Sequence, residues 1–341
     1  MARSSPVSQG MFCLSLDTEL AWGVRNEPYF TDYRRRFVHA RDVIDRLCTL
    51  FDRYRVPATW AVVGHLMLSS AETRPPMSTL QLPRPENVDP GGWFRDTPCG
   101  GVTEAPDWFG ADLIERILMC RTKQELASHS FTHLAFDERR TPVEAIVNEL
   151  RAARAAAHNF GIVPKSFIFP YNIEGYHYVL KNAGYLCYRG SPRQWYDRYP
   201  AQAKRMGRWL DQLLAVPPPA ASCERHPSGL INVPATMFLM PFDGSRGLIP
   251  SRSRLAKARA GIRDACEHGG LMHLWAHPHN FYLHPERMLG VLETILQLVV
   301  EERDAKRIEA LGMADVALRL MGDGALGEAQ HAAPQAIGGM A

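Results

Sequence analysis

The sequence predicts an α/β protein whose parallel strands are joined by helical crossovers into a barrel. Three observations lead there. Short apolar runs that read as buried strands alternate with amphipathic helical segments over most of the chain. The length, 341 residues, is close to that of one α/β barrel. Hydrophobic residues make up 46% of the chain, enough to bury a large core.

The elements follow in order. Met11–Leu16 is a short apolar run that ends at Asp17. The run Arg34-Arg35-Arg36 opens a long helix, Arg35–Tyr54, in which Phe37, Ala40, Ile44, Leu47, Phe51 and Tyr54 recur at helical spacing. Ala58–Val63 and Glu125–Ser128 read as buried strands. Thr141-Pro142-Val143-Glu144 has the form of a capping box with proline at the first helical position, and the helix it opens is expected to bury Val143, Val147, Leu150 and Ala157. Ser166–Phe169 and Tyr185–Tyr188 read as strands, Leu255–Cys266 as a helix, Leu271–Ala276 as a strand, Pro285–Val299 as a helix and Ala310–Met321 as a closing helical segment. Residues 70–110, which hold Trp93 and Trp108, and residues 190–229, which hold Pro217-Pro218-Pro219, break the alternation. Both are expected to be long inserted loops of the kind that carries function. The domain is expected to span 11–321, between a flexible N-terminus (1–10) and an Ala- and Gly-rich disordered tail (322–341).

Composition excludes several classes. A net charge of +3 with 22% charged residues argues against a nucleic-acid binder that works by electrostatics. Seven cysteines with no CxxC pair argue against a disulfide scaffold or a thiolate zinc site and favour a reducing, cytoplasmic setting. Met1–Gly10 has no apolar signal core, and no stretch approaches the ~20 apolar residues needed to span a bilayer. Self-association is left open.

Four segments carry chemistry, each after a strand, where catalytic groups gather in parallel α/β folds. Ser15-Leu16-Asp17-Thr18-Glu19 places two carboxylates at a strand end, so one is free to bind a metal while the other accepts a proton; helix capping is the ordinary alternative. Ser128-His129-Ser130-Phe131-Thr132-His133 has two histidines four apart, a spacing that on a helical turn lets both face one cation. Phe169-Pro170-Tyr171-Asn172 turns sharply after an apolar run and offers backbone N–H groups or the Asn172 amide to an oxyanion. Leu274-Trp275-Ala276-His277-Pro278-His279 places two histidines at a strand end; His273 lies further back and is expected to be structural.

Together these segments resemble the polysaccharide-deacetylase family (NodB homology, carbohydrate esterase 4). The acidic strand end is followed by Val56-Pro57-Ala58-Thr59-Trp60, then by Ser128-His129-Ser130-Phe131-Thr132-His133, the Pro-Tyr-Asn turn and the late His277-Pro278. The resemblance spans roughly residues 11–320. It implies a distorted barrel of about seven parallel strands in a single domain with two long inserted loops. It also implies removal of an N- or O-acyl group, usually acetyl, from an amino sugar. Position by position, Asp17 matches the catalytic base and His277 the acid. His129 and His133 match the metal histidines, with Glu19 completing a site for one divalent ion, expected to be zinc. The family's second adjacent aspartate is Thr18 here. Its arginine before the Pro-Pro-Tyr-Gly turn, which orients the base, is Ile168, so the base is expected to be oriented in another way. Trp22, Tyr171, Asn172, Trp275 and His279 are expected to line the substrate pocket. The expected substrate is a cytosolic acylated amino-sugar conjugate, with no nucleic-acid partner. Two alternatives remain: a cyclic amide or ureide hydrolase of the allantoinase-like branch, which lacks an intact histidine pair, and a barrel that binds carbohydrate without turnover.

Overall fold

A strand covered on both faces has no polar side, and the nine residues of β1 (Gly10–Thr18) are buried at every position. That strand is the axis of the fold. The computed structural model describes residues 9–25, 30–71, 98–191, 194–218 and 221–331. Along one edge β1 pairs first with β10 (Ile308–Leu311) and then with β2 (Thr59–Val62); its other edge holds β9 (Leu271–Ala276). From β2 the sheet continues through β3 (Glu125–Ser128), β4 (Ser166–Ile168), β5 (Cys187–Arg189), β7 (Ile231–Asn232) and β6 (Glu224–Arg225). Beyond β9 it ends at β8 (Met237–Phe238). Every pairing is parallel except that of β6 with β7. The sheet curls into a half-barrel, so the C-terminal ends of β1, β3, β4, β5 and β9 face one another.

Helices cover the outside. Among the described residues they are α1 (Phe30–Tyr54), α2 (Ala111–Leu118), α3 (Val143–His158), α4 (His177–Asn182), α5 (Ala201–Leu213), α6 (Ser251–His268), α7 (Pro285–Asp304) and α8 (Met313–His331). The apolar stripe predicted for α1 is the buried one: Phe37, Ala40, Ile44, Leu47 and Phe51 join the main core. No helix among the described residues is long and apolar enough to cross a membrane.

Several expectations need correction. Helix α3 begins after Pro142, and the Thr141 hydroxyl donates to the Ala135 carbonyl rather than capping the helix. Val143 and Val147 are exposed; Ile146, Glu149, Leu150 and Ala153 face inward. Five alanines on the true inner face carry little periodic signal, so the valines set the apparent stripe. The 190–229 stretch is not a bare loop: it contains α5 and β6. In the 70–110 stretch, residues 72–97, including Trp93, lie outside the described residues, as do 1–8. The closing segment splits into β10 and α8, because Ile308–Leu311 pairs with β1. Its helix continues to His331, into the tail expected to lack structure, and 332–341 lie outside the described residues.

Candidate active site

Strand ends deliver the side chains. Asp17 is the penultimate residue of β1 and Glu19 follows its end; His129 follows β3, Arg189 ends β5, and His277 follows β9. Glu19 Oε1 lies 3.1 Å from His129 Nε2, 3.3 Å from His133 Nε2 and 3.5 Å from His277 Nε2. Donor atoms of Glu19, His129 and His133 all fall within 4.8 Å of one another, and all three residues are buried.

His129 Nδ1 is 2.7 Å from the Ile168 carbonyl, which can only accept, so Nδ1 carries the proton and Nε2 turns its lone pair toward the Glu19 carboxylate. Among the described residues His133 Nδ1 has no hydrogen-bond partner and Nε2 faces only Glu19, at 3.3 Å; burial, against the opposing pull of Glu19, holds its pKa below the usual value. Glu19 Oε1 and the Nε2 atoms of His129 and His133 thus meet at one point, where a shared proton or a metal ion bound by all three would satisfy them. The donor set, one carboxylate and two imidazoles, suits a divalent ion such as zinc.

The two histidines do not share a helical turn as the spacing suggested. Ser130 and His133 adopt positive φ (58° and 59°), which breaks any helix. The loop is held instead by Glu149 on α3. Its carboxylate accepts the backbone N–H of Phe131 and Thr132 (2.8 Å each) and the Thr132 hydroxyl (2.7 Å), while Ser130 Oγ accepts the Leu134 N–H. A second accommodation is Gly23: a Cβ there would sit 1.8 Å from Glu19 Oε2.

Asp17 is buried and clamped by Arg189, with Nη1 to Oδ1 at 2.6 Å and Nη2 to Oδ2 at 2.7 Å. Burial alone would raise the Asp17 pKa, but the guanidinium outweighs it and lowers it. Arg189 also reaches Ser15 Oγ (3.0 Å) and Asn172 Oδ1 (3.2 Å) and lies over the Trp275 ring. His277 Nε2 is 3.7 Å from Asp17 Oδ2. Burial disfavours the His277 imidazolium, yet the Glu19 and Asp17 carboxylates more than offset this and raise its pKa. His279, packed on His277, is driven down to about 3 by burial, and so is His273, which contacts Ser15 Oγ at 2.9 Å.

The remaining pocket candidates divide. Tyr171 stacks edge-on against His133, with ring centroids 4.5 Å apart, and shares the small site cavity of about 160 Å³ with Asn172 and His279. The Asn172 backbone N–H is used by the Phe169 carbonyl, so only its side-chain amide remains for an oxyanion. Trp275 lines an adjoining cavity. Trp22 is a correction: it is fully buried, packed on His65 and Trp108 with its indole N–H on the Trp108 carbonyl, and offers no surface to a substrate. Sequence reasoning missed Arg189, Glu149 and Gly23. Only Arg189 left a trace, as a charged residue closing the apolar run Tyr185–Tyr188.

A solved structure from Mycobacterium smegmatis assigned as a polysaccharide deacetylase superposes with a TM-score of 0.59 at 17% identity, covering 99% of this chain and 97% of the other. The fold is that of the polysaccharide deacetylases. A second such structure, from Pseudomonas aeruginosa PAO1, gives a TM-score of 0.54 at 12% identity over 90% of each chain. The deacetylase fold is shared by Puue allantoinase, with a TM-score of 0.56 at 12% identity over 92% of this chain and 93% of the other. No family model matches the sequence, and no curated protein shows significant similarity to it.

Proposed function

We propose that the protein is a metal-dependent hydrolase that removes an N-acyl group, acetyl in the simplest case, from an amino-sugar conjugate. The observation that carries this reading is the convergence of Glu19, His129 and His133 beside an arginine-clamped carboxylate and a histidine of raised pKa. Glu19, His129 and His133 would hold a zinc or similar divalent ion, which would supply Lewis-acid polarisation to the reaction.

This chain's own residues do the rest. Asp17, kept ionised by Arg189, takes a proton from the attacking water. The Asn172 side-chain amide is placed to donate to the developing oxyanion while Arg189 holds its oxygen. His277, whose Nε2 lies 3.7 Å from Asp17 Oδ2, delivers a proton to the amine nitrogen as the tetrahedral intermediate collapses. His279, uncharged, packs against that ring and keeps it in place. Tyr171 and Trp275 present aromatic surface to a sugar ring.

Metal analysis paired with acetate release from N-acetylated amino sugars tests the proposal. Wild type should bind one divalent ion and release acetate, and His129→Ala should lose both. Full metal content in His129→Ala would refute the site. The likeness to Puue allantoinase keeps ureide hydrolysis as a second reading, favoured if allantoin is consumed and acetamido sugars are not.

A further inference from the structure

The cavity at the reacting residues, about 160 Å³, is smaller than the range of ~300–1,000 Å³ common for ligand pockets. It has room for the acyl group and the amide, not for a whole conjugate. The space continues past Tyr171 and Asn172, which also line a cavity of about 560 Å³ walled by Trp275 and by α5 from the 190–229 insertion. Arg208, Phe238 and Met240 in turn join that cavity to another of about 610 Å³. The three form one trough leading away from the metal site.

The trough is basic in a particular way. Six cations line its two outer cavities against three carboxylates, and each carboxylate is already matched: Asp197 with Lys204 (2.7 Å), Asp211 with Lys257 (2.8 Å) and Asp243 with Arg246 (2.6 Å). Arg205 and Arg208, one turn apart on α5 and both exposed, form no ion pair among the described residues. Arg208 lies beside the Tyr196 ring, and Trp209 follows it. Two exposed guanidiniums outside any ion pair of 4 Å among the described residues, beside aromatic faces, match a multiply charged oxyanion such as a phosphate next to a flat group.

Resting on the deacylase reading above, we propose that the trough binds a phosphate carried by the amino sugar, so that the substrate is a sugar phosphate ester with a nucleoside diphosphate as its carrier. Arg205 and Arg208 hold the phosphates, and Tyr196, Trp209 and Phe238 give the base surfaces to lie on. A neutral glycan would leave both arginines unused.

The test compares three N-acetylglucosamine substrates on the zinc-loaded enzyme: the uridine diphosphate conjugate, a farnesyl diphosphate conjugate and the neutral di-N-acetylchitobiose. The nucleotide conjugate should have the highest kcat/KM, and in Arg205→Ala/Arg208→Ala its advantage over the neutral sugar should fall by about tenfold or more. Calorimetry with uridine diphosphate alone gives an independent readout: binding should persist in His129→Ala and weaken in the arginine double variant. Equal turnover of the neutral sugar, preference for the farnesyl carrier, or nucleotide binding indifferent to both arginines would overturn the proposal. If no substrate releases acetate, the deacylase reading fails, while nucleotide binding still decides the trough.

Discussion

Replacing Arg189 by Met isolates the device that makes Asp17 a base. The guanidinium and the Asp17 carboxylate are both almost fully buried, and two parallel hydrogen bonds join them. Removing one member of such a pair strands the other charge in a low-dielectric interior, at a cost of about 3–5 kcal/mol. Burial is the largest influence on Asp17 and favours its protonated form. Without Arg189 the carboxyl therefore moves toward neutrality, and a protonated Asp17 cannot accept a proton. Turnover near pH 7 should fall toward the ~10²–10⁴-fold loss typical of a missing base, and the acid limb of the kcat profile should move to higher pH. Arg189→Lys keeps the charge but not the fork, so it should recover part of the loss. A double variant, Asp17→Asn/Arg189→Met, removes the stranded charge and should be more stable than Arg189→Met alone in thermal or urea unfolding. If the single and double variants unfold alike, the cost is lost packing on Trp275 rather than an unpaired charge; an unmoved acid limb in folded Arg189→Met would show that Arg189 does not set the protonation state of Asp17.

Four further predictions rest on the same geometry. Glu149→Gln keeps the shape but loses a charged acceptor of three hydrogen bonds, so metal affinity measured by chelator competition should drop about 10–100-fold, with kcat at saturating metal changed much less. Gly23→Ala pushes a methyl group onto Glu19 Oε2 and should weaken metal binding while Gly290→Ala, in open space on α7, leaves it unchanged. In the metal-free protein His277 should titrate above its ordinary 6.5 by NMR, and metal loading, which neutralises Glu19, should bring it down. The stability terms have opposite signs. The contribution of His277 is fully present below pH 6.5 and is lost as pH rises through its higher folded value. The contribution of Asp17 is present above 3.8 and is lost as pH falls through its lower folded value. Metal-free protein should therefore be most stable between these limits, as thermal unfolding across pH would measure.

What was legible in the sequence was what strands and short motifs encode. The strands β1, β3 and β9 are short, mainly apolar runs buried on both faces, so their ends, and hence Asp17, Glu19, His129 and His277, were locatable from local pattern. Contacts between distant segments were not legible. The Val143 and Val147 stripe misled because alanine is compatible with either face, and Trp22 read as a sugar platform because an indole serves core and pocket equally well. Helix α5 was missed although Ala201–Leu213 carries a clear amphipathic period, because the prolines on either side of it marked the whole stretch as a loop.

Arg189 shows why the missing part matters most for chemistry. The expected arginine position, on the strand leading to the Pro-Tyr-Asn turn, is Ile168, and reading along that strand alone suggests a base without its partner. In the parallel sheet β4 and β5 are adjacent, with Ile168 in register with Arg189. A guanidinium has the reach to meet Asp17 from the neighbouring strand, and Ile168 then packs its side chain in the core while its carbonyl accepts the hydrogen bond of His129 Nδ1 that fixes that ring. A buried carboxylate at this place needs a cation, but the need specifies a point in space and not a position in the chain. Moving the Arg189 side chain to residue 168 tests this: Ile168→Arg/Arg189→Ile should restore an appreciable part of the activity and the low acid limb lost in Arg189→Ile. If instead the exchange is as inactive as Arg189→Ile in a folded protein, the hydrogen bonds of Arg189 to Ser15 and Asn172, which only β5 can supply, are part of what the base requires.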